Sequence, residues 1–184
     1  MTEKQDRYIP PLILDNPLRR LEKSPLKFIG KYLRQGMAVA DIGSGPGYFT
    51  VKLSSLVGSQ GTVTAIDPDQ KTVERLRAKL VNLNIGNVQT LISSGSHIPG
   101  IEDNSIDFVF SHLMICCMSQ HREALTEMMR ILKPGAMAFV SVTRTLPGKD
   151  PRNVYPVEWG RILQDFHQID NGGTMTYRWV ILQK

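Results

Sequence analysis

Short apolar runs alternate along the chain with segments whose apolar residues recur every three or four positions. "MAVADI" (37–42) is apolar, six residues long and stopped by Gly43, the pattern of a buried strand. "YFTVKLSSLVG" (48–58) puts Phe49, Leu53, Leu56 and Val57 on one helical face and closes at Gly58. "TVTAID" (62–67) then predicts a strand, and "QKTVERLRAKLVNL" (70–83) a helix with Val73, Leu76 and Leu80 inward. Further strands are predicted at "NVQTLIS" (87–93) and "IDFVFS" (106–111), with a helix at "QHREALTEMMRIL" (120–132) whose Leu125, Met128 and Leu132 share a face. "KPG" breaks that helix ahead of a strand at "AMAFVSVT" (136–143).

Strand, helix and strand repeated in this way predict parallel strands with right-handed crossovers. The end differs: "VEWGRILQD" (157–165) predicts a short helix, then "FHQID" and "TMTYRWVIL" a β-hairpin that turns at "NGG" (171–173). At the other end, "SPLKFIGKYLRQG" (24–36) predicts a helix with Ser24 as N-cap, Leu26, Ile29 and Leu33 on one face, and Gly36 as its stop. The expected fold is one α/β domain over residues 1–184. Residues 1–15 are expected to be irregular and 16–35 to form a helical cover.

The 184 residues suffice for one substantial core, and 41% hydrophobic with 21% charged residues is the profile of a soluble globular protein. No apolar run approaches the ~20 residues that span a bilayer, and "MTEKQDRYIPP" is too polar for a secretory signal. No membrane association and a cytoplasmic location are expected. Net charge is +5. Arg20, Lys23, Lys27, Lys31 and Arg34 recur at helical spacing, a basic stripe interrupted at Pro25. Its ordinary reading is a solvated face, with a nucleic-acid surface left open. The adjacent Cys116 and Cys117 suit neither a disulfide framework nor a zinc site. They read as two small buried residues pointing in different directions, and no metal is expected.

Candidate chemistry concentrates in "VADIGSGPGYFT" (39–50), where Gly43, Gly45 and Gly47 alternate after a strand. A dinucleotide fingerprint wants G-x-G-x-x-G, and a mononucleotide loop wants Lys then Ser or Thr; neither is present. Pro46 also removes an N–H that a phosphate cradle would use. Asp41 just ahead of the loop repels pyrophosphate and suits an ammonium group, while the helix N-terminus suits a carboxylate. Twenty positions beyond Gly47, Asp67 ends its strand where a carboxylate accepts the hydroxyls of a ribose. A ribose, an amino-acid end and no phosphate describe S-adenosylmethionine.

These segments resemble class I S-adenosylmethionine-dependent methyltransferases over nearly the whole chain from about Asp15. "ADIGSGPG" looks like the family's first motif and "AIDPD" like its second. "IPGIEDNSIDFVFS" is similar to its fourth-strand motif and "EMMRILKPGAMAFVS" to its fifth-strand region. The resemblance implies a Rossmann-like, seven-stranded, mostly parallel sheet with an antiparallel last strand and helices on both faces. It implies S-adenosyl-L-methionine as cofactor, with Asp41, Gly43, Ser44, Gly45, Gly47, Asp67, Pro68, Ser94, Gly95 and Ser111 as its binding residues. The family's acidic residue after the third strand is Ser94 here, which can accept the adenine amino group only without charge assistance.

On the acceptor side, methyl transfer needs alignment, and a base only when the acceptor is not already nucleophilic. His112, placed at the start of the loop after the fourth strand, is the candidate catalytic residue. His97 belongs to the adenine-side loop, and Tyr155 and Trp159 follow the fifth strand as substrate wall or core. Asn16 and Arg19 lie in the expected cover. No N-P-P-Y or D-P-P-Y follows the fourth strand, and no ribose-methyltransferase tetrad can be assembled, since Ser111 stands where it needs Asp. These features favour a small-molecule acceptor. An RNA or protein methyltransferase, or a non-catalytic cofactor-binding protein acting through a partner, is the alternative, and the expected state is a monomer or homodimer.

Overall fold

In the computed structural model, which describes residues 25–144 and 153–184, the alternating pattern closes into a seven-stranded sheet. Its elements are α1 (Leu26–Ile29), β1 (Ala38–Ile42), α2 (Tyr48–Val57), β2 (Thr62–Asp67), α3 (Gln70–Asn82), β3 (Val88–Ile92), β4 (Ile106–His112), α4 (His121–Ile131), β5 (Leu132–Thr143), α5 (Pro156–Leu163), β6 (His167–Gly173) and β7 (Tyr177–Gln183). The order is β3-β2-β1-β4-β5-β7-β6. The pairings from β3 to β5 are parallel, and β7 runs antiparallel to both β5 and β6. The chain winds outward from β1 through β2 and β3, then returns to β1's other side with β4. That reversal opens a crevice at the carboxyl ends of β1 and β4.

Side-chain alternation sorts the core into two layers. Val39, Phe108, Phe110, Phe139, Trp179 and Ile181 face Ile29 and Leu33 near α1 and Leu53 and Val57 of α2. Ala40, Ile42, Val109, Val140, Val180 and Leu182 face Leu125 and Met128 of α4 and Ile162 and Leu163 of α5. On α3, Val73, Leu76 and Leu80 are all buried, as their spacing predicts.

Four local expectations are corrected. The helix predicted to reach Gly36 is regular only over Leu26–Ile29. The Arg34 guanidinium donates to the carbonyls of Lys31 and Leu33, which ends the turn early. Leu56 is 42% exposed, and Thr50 and Ser54 join Leu53 and Val57 on the buried face of α2 instead. "KPG" lies within β5 rather than before it: Lys133 Nζ donates to Asp107 Oδ1 at 2.6 Å, and Gly135 N–H to the carbonyl of Lys184 at 3.0 Å. The hairpin turns at Thr174–Thr176, where Thr174 N–H donates to the Tyr177 carbonyl at 2.7 Å, and "NGG" ends β6. Gly172 is small because the Trp179 ring lies over it: a Cβ there would stand 2.8 Å from Trp179 Cζ2.

Ser24, Arg20, Lys23, Asn16, Arg19 and the segment 1–15 lie outside the described residues. Of the basic stripe, Lys31 is held by Asp170 of β6 at 3.0 Å, beside the Tyr32 hydroxyl, so it ties α1 to the sheet edge. Among the described residues, no helix is long and apolar enough to cross a membrane, and no group of His, Cys, Asp or Glu is spaced to hold a metal.

Candidate functional site

The glycine loop bends because three alternate residues take left-handed backbone: Gly43 at φ 79°, Gly45 at φ 52° and Gly47 at φ 83°. The loop is pinned to the end of β2. Gly43 and Ser44 donate their N–H groups to the Ile66 carbonyl at 2.8 and 3.0 Å, and Gly45 N–H donates to Asp67 Oδ2 at 2.9 Å. Asp67 Oδ1 accepts from Asp69 N–H at 3.0 Å. Each Asp67 oxygen thus keeps a further lone pair for another donor. Burial outweighs these bonds and raises the Asp67 pKa.

Asp41 is buried under the loop and accepts from Thr50 Oγ1 of α2 at 2.6 Å. Burial pushes its pKa up to about 7; the Thr50 bond opposes this, and the nearby Asp67 charge adds to it. Gly47 N-caps α2 without any side-chain cap and without an acidic residue in the first turn. The first N–H groups of the helix therefore have no intrahelical acceptor. The Ser44 hydroxyl, also at this loop, is buried with no hydrogen-bond partner.

The other predicted residues stand at or just beyond the carboxyl ends of β2, β3 and β4. Pro68 is exposed at the end of β2. Ser94 is built into a turn: its hydroxyl meets Ser96 Oγ at 2.9 Å, and its carbonyl accepts from His97 N–H at 3.2 Å. Ser96 Oγ in turn donates to Gln120 at 2.7 Å. Gly95 lies against Ile42 and Met114: a Cβ there would come within 2.8 Å of Met114 Cε. Ser111 is fully buried, its hydroxyl has no partner, and strand alternation turns it to the face opposite His112.

His112 does not begin the loop. It is the last residue of β4, paired with Ser141 of β5. Its Nδ1 lies 2.7 Å from Ser141 Oγ, and its ring meets Phe49 and Tyr177 edge-on at centroid distances of 5.1 and 4.9 Å. Trp159 packs against the α4–α5 core, which favours its core reading, and Tyr155 N-caps α5. Cys116 and Cys117 do not diverge. They share a 3-10 turn, and both thiols donate to the Leu113 carbonyl, at 3.2 and 3.5 Å.

Sequence reasoning missed three contributors. Thr50 had no signal beyond its distance from Asp41. Ser141 was visible as the lone hydroxyl in "AFVSV". Met114 follows Leu113, whose φ is 60°, and it bridges the two sides of the crevice: a Cβ on Gly43 would stand 2.5 Å from Met114 Cγ.

Residues 40–140, more than half of the chain, match the family model described as "Methyltransferase domain". The chain belongs to that family. Its sheet and motifs are those of class I S-adenosylmethionine-dependent methyltransferases, and that family's cofactor is S-adenosylmethionine. A crystal structure of a SAM-dependent methyltransferase from Aquifex aeolicus superposes with a TM-score of 0.84 at 28% identity, covering 96% of this chain and 99% of that one. A demethylmenaquinone methyltransferase of Staphylococcus aureus is 36% identical over 62% of this chain and 47% of its own length. A ubiquinone/menaquinone biosynthesis C-methyltransferase of Haemophilus ducreyi is 34% identical over 59% of this chain and 42% of its own. The chain thus spans less than half the length of these curated relatives.

Proposed function

We propose that the protein binds S-adenosylmethionine across the crevice between β1, β2 and β4 and methylates a ring carbon of a small quinol-type acceptor. The observation that carries this is the glycine loop pinned to Asp67, with an orphaned Ser44 hydroxyl and an uncapped α2 N-terminus beside it. Together they offer unmet donors to a carboxylate and unmet acceptors to a ribose, which is what the group requires. Asp41 supplies the counter-charge for its ammonium. Ser94 and Gly95 line the adenine side with Met114. When bound, S-adenosylmethionine supplies a sulfonium methyl open to in-line displacement. The residues above hold the reactants in line, and Phe49, Phe110 and Tyr177 keep water from the His112 end. The quinol class rests on the curated relatives.

S-adenosylhomocysteine should raise the melting temperature and NAD should not. Purified protein with labelled S-adenosylmethionine should transfer the methyl to reduced 1,4-naphthoquinone. A shift with NAD alone would sink the cofactor reading, and a shift with S-adenosylhomocysteine but no transfer to any quinol would leave a cofactor-binding scaffold. Asp67→Ala removes the acceptor for Gly45 N–H as well as the proposed ribose ligand. It should weaken S-adenosylhomocysteine by about 1.5–3 kcal/mol in calorimetry, the scale of charged hydrogen bonds.

A further inference from the structure

Two arginines meet in one cross-strand row at the carboxyl end of β5. On β7, Val180 and Leu182 face the α4–α5 core, and alternation puts Arg178 on that same face near the start of the strand. Arg178 pairs with Val142 of β5 on one side and with Gly173 of β6 on the other. Arg144 follows the last residue of β5, and its N–H donates to the Thr176 carbonyl at 2.7 Å. Its guanidinium reaches over β7 as far as β6, since a Cβ on Gly173 would stand 2.9 Å from Arg144 Nη2. The Arg144 side chain therefore lies along the row in which Arg178 stands. Among the described residues, no carboxylate forms an ion pair with either arginine. Arg178 is partly buried, and its Nε is covered with no hydrogen-bond partner. Burial first, and then the charge of Arg144, lowers its pKa. A guanidinium nevertheless stays charged. The row thus holds two like charges and an orphaned donor, and both cost stability.

We propose that Arg144 and Arg178 together bind an oxyanion, a carboxylate or phosphate group, carried by the methyl acceptor. An oxyanion between the two guanidinium groups neutralises their repulsion and accepts N–H groups from both, the planar geometry for which arginine is suited. The row lies just beyond Ser141, which pairs with His112 at the end of β4. It is thus at the same edge of the sheet as the glycine loop and on the other side of β4 from it. An acceptor that meets the methyl over β4 extends toward β5 and β7, where its acidic group finds the arginines. Gly173 belongs to the site by what it lacks: any side chain there crowds the Arg144 guanidinium out of the row. That the anion is part of the acceptor rests on the methyl-transfer reading above; the anion site itself does not.

Calorimetry at low ionic strength reads the site without turnover, with 2-naphthoate as the anionic probe and 2-naphthamide as its neutral counterpart. The wild type should bind 2-naphthoate at least tenfold more tightly than 2-naphthamide. Arg144→Gln and Arg178→Gln should each remove most of that preference. Gly173→Ala, which keeps both charges but crowds Arg144, should weaken 2-naphthoate at least threefold. Arg77→Gln, on α3, should leave it unchanged. Equal binding of the two probes by the wild type, or a preference that survives in Arg144→Gln, would overturn the anion site, and so would an equal loss in Arg77→Gln. If the partly buried Arg178→Gln does not fold, the exposed Arg144→Gln and Gly173→Ala decide. In turnover, reduced 1,4-naphthoquinone-6-carboxylate should have a KM at least tenfold below that of reduced 1,4-naphthoquinone. Arg144→Gln should erase that difference with S-adenosylhomocysteine affinity unchanged. Equal KM values in the wild type, with inorganic phosphate displacing 2-naphthoate, would assign the site to a free anion and overturn the acceptor's part in it. Absence of transfer to either quinol, with the calorimetry as expected, would remove the methyl-transfer reading and leave the anion site standing.

Discussion

Gly47→Ala is expected to cost the fold about 2–5 kcal/mol in urea denaturation, while Gly36→Ala costs about 1–2. Both glycines have φ of 83°, so the backbone penalty for a Cβ is the same in each. Their surroundings differ. A Cβ at Gly36 meets nothing within 4 Å, whereas one at Gly47 would sit 2.2 Å from Leu76 Cδ1. Leu76 cannot swing clear, because it is fully buried and packed with Ala65 and Leu80 under α3. The excess of the first variant over the second measures that overlap, about 1–3 kcal/mol on the scale of overpacked cores. The third glycine of the loop is thus a packing residue for α3 as well as the point where α2 starts. Equal losses in the two variants would mean that α3 yields at Leu76, and the tight loop–helix contact would be wrong.

The same contact explains how much of the molecule was legible beforehand. β2 occupies Thr62–Asp67 as the apolar run predicts, and α3 runs from Gln70, with Asp69 as its N-cap accepting from Thr72 N–H. These elements follow from local periodicity and capping. The misread places are those where a distant partner decides. Gly172 looks like a turn residue until the Trp179 ring is placed over it from the neighbouring strand. "KPG" reads as a break until Lys133 finds Asp107 and Gly135 finds Lys184. Cys116 and Cys117 diverge in a helix or strand but converge in the 3-10 turn that Leu113, at φ 60°, initiates. At the site, the glycines and the two aspartates were visible because spacing along the chain sets their geometry. Met114 and the Ser141–His112 pair were not, since they depend on which strand lies beside β4.

Asp41→Asn is expected to change the pH dependence of stability and of cofactor binding in opposite directions. In the folded chain the Asp41 carboxyl is raised from 3.8 to about 7, chiefly by burial. It therefore keeps its proton over a range in which the unfolded chain has lost it. The stabilisation is complete below the unfolded value and is lost as the pH rises through about 7. Between pH 4 and 8 the ligand-free wild type should lose up to roughly 4 kcal/mol relative to the asparagine variant, which cannot titrate there. Asparagine can still accept from Thr50 Oγ1, so the comparison isolates the charge. S-adenosylhomocysteine should behave the other way. In the proposed pairing its ammonium meets the carboxylate form, so wild-type affinity should rise as the pH passes 7 and level off before the ligand's own amine titrates. The variant should bind weakly with little pH dependence over that range. Guanidinium melts and calorimetry at matched pH values read the two effects separately. A stability difference without the binding difference would make Asp41 a buried carboxyl that does not meet the ligand. Parallel pH profiles for wild type and variant in both measurements would mean that Asp41 does not titrate near neutrality at all.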